Sequence, residues 1–137
     1  MLTLTLHVSR DGAISYKTDN AYISVIGELL IHDAIQMPDF LRALATTDDE
    51  TVYLDACFVQ TTADFIVIKH IEQKQFPVVS LPKERFLQIL TIWEEFLMQK
   101  NATQWIFFKQ EEFEFSAETN KKIHVTPALQ EKQKEQE

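Results

Sequence analysis

The sharpest catalytic arrangement this sequence offers is a thiol beside an imidazole. Cys57 and His70 fall in two apolar, β-branched runs that would pair as a hairpin, and Asp55 stands close enough to the thiol to orient a ring. The surroundings argue against it. Cys57 lies inside the run Val52–Val59, where a free thiol behaves as a small buried hydrophobe, and a neighbouring Asp55 would raise its pKa rather than prepare a thiolate. As the only cysteine it forms no intrachain disulfide, which suits a reducing compartment. His7, His32, His70 and His124 are too widely spaced for a local metal motif, and neither HxxxH nor CxxC occurs. Asp48-Asp49-Glu50, Glu94-Glu95 and Glu111-Glu112 with Glu114 are adjacent acids in polar runs. Such acids read as solvated surface, whereas acid–base catalysis needs two carboxyl groups in different environments. Asp48 and Asp49 also lack the spaced ligands and turn glycine of a calcium loop. The expectation is no catalytic, cofactor-binding or metal-binding residue.

Glycine usage points the same way. Only Gly12 and Gly27 occur, where average usage would give roughly ten, so phosphate-cradling loops, nucleophile elbows and dinucleotide fingerprints cannot be written with this chain. What remains for the acids is recognition. With 13 basic against 21 acidic residues the formal charge is -8, which repels phosphate backbones and anionic lipid and attracts a basic surface. Nucleic acid and membranes are therefore not expected partners; a basic protein is. Acids interleaved with aromatics, as from Trp105 to Phe115, set anchors next to charge. The residues expected at such an interface are Asp48, Asp49, Glu50, Asp55, Glu111, Glu112, Glu114 and Trp105.

These side chains need a scaffold, and 137 residues with 45% hydrophobic content can build one core. Leu2, Leu4, Leu6 and Val8 alternate with polar residues as a half-buried strand, and Asp11-Gly12 turns it into a second strand from Ala13 to Lys17. Tyr22–Leu30 reads as a longer strand, in which Gly27 marks a bulge or a close backbone approach; a helix is the competing reading. Pro38 opens a short helix to Thr46. Val52–Val59 and Phe65–Ile71 form a central hairpin, and Phe76–Ser80 is a short extended segment. Pro82–Lys100 is the clearest helix, with Phe86, Ile89, Leu90, Trp93, Phe96 and Leu97 in one core-facing stripe. Trp105–Lys109 and Phe113–Phe115 read as final strands, with Ile123 and Val125 as a short last one, and residues 127–137 as a polar tail after a single domain of residues 1–126. The fold expected is α+β: an antiparallel sheet of five to seven strands, one short helix, and the long helix packed on one sheet face. No basic start precedes an apolar leader and no apolar run approaches a membrane span, so a cytoplasmic protein is expected.

Two stretches carry a family resemblance. Ile26–Asp33 (IGELLIHD), followed by Phe40-Leu41 on a short helix, and Ser80–Leu97 (SLPKERFLQILTIWEEFL) are similar to segments in small immunity proteins of bacterial polymorphic-toxin systems, including contact-dependent growth inhibition. The resemblance implies a cytoplasmic, acidic protein that neutralises one cognate toxin carboxy-terminal domain by binding it; it transfers no binding residue position by position. Combined with the charge, it implies a basic, nuclease-type toxin as partner. A secretion chaperone or adaptor is the alternative. Such chaperones share the size and charge but commonly begin with a helix, whereas Leu2–Val8 alternates as a strand. An enzyme or small-ligand domain would require a deep pocket containing His70, Cys57 or an inward carboxylate.

Overall fold

Alternation at the amino terminus places Leu4 and Leu6 inward, where both are fully buried, and leaves Thr3, Thr5 and His7 on the other face. The computed structural model describes residues 2–73, 75–99 and 103–115; His124, the expected strand at Ile123–Val125 and the 127–137 tail lie outside them. The first strand, β1 (Leu2–Val8), turns at Asp11-Gly12 into β2 (Ile14–Lys17). Gly12 takes φ +88°, a conformation that L side chains rarely adopt, and Ser9 N–H donates to the Ala13 carbonyl across the turn at 2.9 Å. On its other side β1 pairs antiparallel with β7 (Thr103–Phe108), with Leu4 opposite Ile106 and Thr5 opposite Trp105.

A second antiparallel sheet takes its strands in sequence order: β3 (Thr51–Tyr53), β4 (Cys57–Thr61), β5 (Phe65–His70) and β6 (Val79–Pro82). The run Val52–Val59, expected as one strand, is instead a hairpin. It breaks at residues 54–56, where Leu54 N–H donates to the Cys57 carbonyl at 2.8 Å, and Val52 pairs back onto Val59. β4 and β5 form the expected central hairpin, with Cys57 opposite His70.

Tyr22–Leu30 is not a strand. It is α1 (Ala21–Glu28), capped by Asn20, whose side chain accepts from the Tyr22 and Ile23 amides at 2.9 and 3.2 Å. The reason the pattern misleads is burial on more than one side. α1 touches strands of both sheets, and Ile23, Val25, Ile26 and Gly27 are all buried. A helix surrounded by core needs no polar face, so it loses the period of 3.6, and its β-branched residues then imitate a strand. Gly27 does mark a close approach: a Cβ there would stand 2.6 Å from the Tyr16 ring on β2. The helix continues as a π-turn, Leu29–Asp33, before α2 (Pro38–Leu44), which starts at Pro38 as expected.

α3 (Lys83–Gln99) buries Phe86, Ile89, Leu90, Trp93 and Phe96 and touches β5 and β6 of one sheet and β7 of the other. The Trp93 indole N–H donates to the Ala34 carbonyl at 3.1 Å, tying α3 to the end of the π-turn. Residues 110–115 are helical, which corrects the expected strand at Phe113–Phe115. Glu112 accepts from the Lys109 amide and donates its own amide to the Lys109 carbonyl, a reciprocal pair that closes a helical turn. Phe113 meanwhile stacks on Phe108 and Tyr22. The class is α+β, with seven strands and one long helix among the described residues, as expected. The strands divide into sheets of three and four with α1 and α3 bridging them, where one sheet under one helix was anticipated.

Candidate functional site

The π-turn and the β3–β4 hairpin bring the thiol and imidazole of the sequence reading into one corner, where carboxylates of α1 and the π-turn adjoin them. Cys57 and His70 lie opposite each other in β4 and β5 and therefore on the same sheet face. His70, 6% exposed, has both nitrogens committed elsewhere. Nδ1 accepts the backbone N–H groups of Glu72 and Gln73 at 3.3 and 3.0 Å, which leaves the ring proton on Nε2, facing Glu28 Oε1 at 3.2 Å. The carboxylate that orients the ring is thus Glu28 on α1, a partner the sequence reading missed; Asp55 does not take that role. Burial, together with the Asp33 and Glu28 carboxylates, pushes the Cys57 thiol far up, so it stays protonated.

Asp33 is the other residue of this corner that sequence reasoning passed over. It is 1% exposed, and its two oxygens accept from the Ala56 and Cys57 amides at 3.0 and 3.1 Å. Desolvation raises its pKa, while those backbone hydrogen bonds pull the other way. Its task is to hold the β3–β4 turn against the π-turn. Burial and the Glu28 carboxylate likewise push the Tyr16 phenol up to about 12. Beside His70 a cleft of about 320 Å³ is lined by Glu28, His32, Asp55, Ala56, Glu72 and Gln73. Of the other described histidines, His32 is exposed at the same cleft, its Nε2 3.7 Å from the second oxygen of Glu28, and His7 lies apart on the outer face of the three-stranded sheet near Thr103. Among the described residues, no three His, Cys, Asp or Glu side chains are placed to share a metal ion, and no helix is long and apolar enough to cross a membrane.

The acids expected at an interface are not scattered. Asp48, Asp49 and Glu50 form the loop before β3, held by Thr61, whose Oγ1 accepts from the Glu50 amide at 2.9 Å and whose own amide donates to the Glu50 carbonyl at 2.8 Å. Glu111, Glu112 and Glu114 lie on the helical segment after β7. Although far apart in sequence, both runs adjoin the first turn of α3. Lys83 Nζ is 3.2 Å from Asp48 Oδ1, and Arg85 Nε is 3.3 Å from Glu112 Oε1. The same Arg85 donates to the Phe107 carbonyl at 2.6 Å, so the end of β7 belongs to this region too. There Trp105 and Phe107 stand on the outer sheet face, 53% and 57% exposed, and Phe115 lies against Phe65. Asp49, Glu50, Glu111 and Glu114 are exposed. Asp55 stands away from the set, in the β3–β4 turn at the opposite end of the four-stranded sheet. Glu94 pairs with Arg42 at 2.7 Å. The arrangement sets exposed carboxylates and large exposed apolar side chains side by side. No family model, curated protein or solved structure matches the chain.

Proposed function

We propose that this chain is a stoichiometric protein inhibitor of the immunity type, which neutralises a basic, nuclease-type toxin domain by docking its acidic end over the toxin's phosphate-binding surface. The observation that carries the reading is the convergence of Asp48–Glu50 and Glu111–Glu114 on the two sides of the α3 start, with Lys83 and Arg85 as the cations that face them. A nuclease must present positive charge to its substrate, and an array of carboxylates beside aromatic anchors meets that surface in sign and in contact area. Charge complementarity of this kind acts first on the rate of encounter, so association should be fast at low salt and slow steeply as salt is added. The resemblance of Ile26–Asp33 and Ser80–Leu97 to immunity-protein segments supports the same role.

The test is to purify the chain with the toxin carboxy-terminal domain encoded beside its gene and to titrate one against the other by calorimetry. Inhibition at one-to-one stoichiometry is expected. The pair Asp49→Lys/Glu50→Lys and the pair Glu111→Lys/Glu114→Lys should each weaken binding about tenfold or more. Asp55→Lys, at the other end of the sheet, should leave it within about twofold. Absence of binding across the salt range, or equal loss from all three variants, overturns the proposal.

A further inference from the structure

Beside the acidic loop lies a feature that charge alone does not explain. A groove of about 260 Å³ opens between α2 and the edge strand β3, lined by Phe40, Ala43, Leu44, Thr47, Glu50 and Val52. Its walls are almost entirely apolar, yet Phe40 is 44% exposed, and Met37 and Ile35 just before it are 37% and 41% exposed. Adjacent exposed apolar side chains with a polar rim are uncommon on monomeric proteins and mark contact surfaces. The rim here is acidic: Glu50 lines the groove, and Asp48 and Asp49 precede it in the same loop. The cations nearest to it are engaged, Arg42 with Glu94 and Lys83 with Asp48 and the Thr47 carbonyl. The volume falls below the usual range for drug-sized ligands and suits one or two side chains.

We infer that this groove receives an apolar side chain (Leu, Met or Phe) from a basic segment of the partner protein, with flanking Lys or Arg residues on Asp48, Asp49 and Glu50. The inference rests on the docking reading above and adds to it an apolar anchor point. An apolar floor selects against a purely polar basic chain, while the acidic rim selects against an apolar chain of the wrong sign. Together they give a specificity that neither supplies alone.

A fluorescein-labelled peptide of alternating leucine and lysine pairs is the probe, titrated against the full chain by fluorescence anisotropy. A serine–lysine peptide of equal charge and a leucine–glutamate peptide serve as references. Ala43→Trp fills the groove from an exposed helical position without changing charge, and Phe40→Ser removes its apolar wall. The leucine–lysine peptide should bind at least about tenfold more tightly than either reference, and each variant should remove that advantage while keeping the thermal midpoint of the parent. Equal binding of the serine–lysine peptide, or unchanged affinity in both variants, overturns the groove. If the toxin domain binds the parent and Ala43→Trp chains equally, the groove falls while the inhibitor reading stands. If the peptide discriminates as expected but no toxin domain binds, the groove stands and the inhibitor reading falls.

Discussion

Replacing Gly27 by alanine isolates the contact between α1 and β2. Alanine should favour the helix, since glycine in a helix interior costs about 1 kcal/mol relative to it. The structure reverses the sign. An ideal Cβ at residue 27 stands 2.6 Å from Tyr16 Cδ2, 2.7 Å from Cγ and 2.8 Å from Cε2, where ordinary carbon contacts need about 3.5–4.0 Å. Cγ is the root of the ring, so no small torsion at its tip relieves the clash. Tyr16 is also held in place by the pairing of β2 with β1, opposite Leu6. Either the ring changes rotamer or α1 shifts against both sheets, at an overpacking cost of about 2–3 kcal/mol, for a net loss of about 1–2 kcal/mol. Urea unfolding of the parent, Gly27→Ala, Tyr16→Ala and the double variant measures it. In the Tyr16→Ala background the obstacle is gone, and Gly27→Ala should then stabilise by up to about 1 kcal/mol. A glycine replacement that stabilises the parent, or that destabilises equally in both backgrounds, refutes the packing argument.

Three further outcomes are expected. Asp33→Ala removes the acceptor of the Ala56 and Cys57 amides and should cost about 2–4 kcal/mol in urea unfolding, with Asp33→Asn recovering part of it, because one amide oxygen serves one donor well. In alkaline solution the folded chain holds protons that the unfolded chain releases: the Cys57 thiol lies far above its ordinary 9.0, and Tyr16 is raised from 10.0 to about 12. Their contribution is complete below pH 9 and is lost as pH rises through 9 towards 12. The thermal midpoint should fall over that window, with a smaller fall in Cys57→Ala; the native thiol should react with iodoacetamide only at the rate of opening. Asn20→Ala deletes the cap of α1 and should lower stability by about 0.5–2 kcal/mol, with Asn20→Asp close to the parent.

The legible parts of the fold were those whose environment is one-sided. β1 shows its inner and outer faces as alternation because one is core and the other is not, and α3 shows its stripe for the same reason. Asp11-Gly12 and Pro38 announced a turn and a helix start through backbone chemistry that acts locally. The site divides along the same line. The exposure of the acid runs was legible because solvated charge needs no partner to be recognised. The placement of Asp33 and Glu28 was not, because a carboxylate buried among backbone amides or against an imidazole looks, in sequence, like any polar residue in an apolar run.

By itself the sequence determined an α+β chain with a single core, a negative exterior and no glycine-built phosphate or nucleophile loop. Tertiary structure alone decided that Tyr22–Leu30 is helical, that Glu28 and not Asp55 faces the His70 ring, and that Asp48–Glu50 and Glu111–Glu114 flank one helix start while Asp55 stands apart. The physical reason is common to all of them. Periodicity and charge are properties of a segment and its solvent, whereas burial on several sides, hydrogen bonding across strands and the meeting of distant acids depend on contacts made only once the chain has closed on itself.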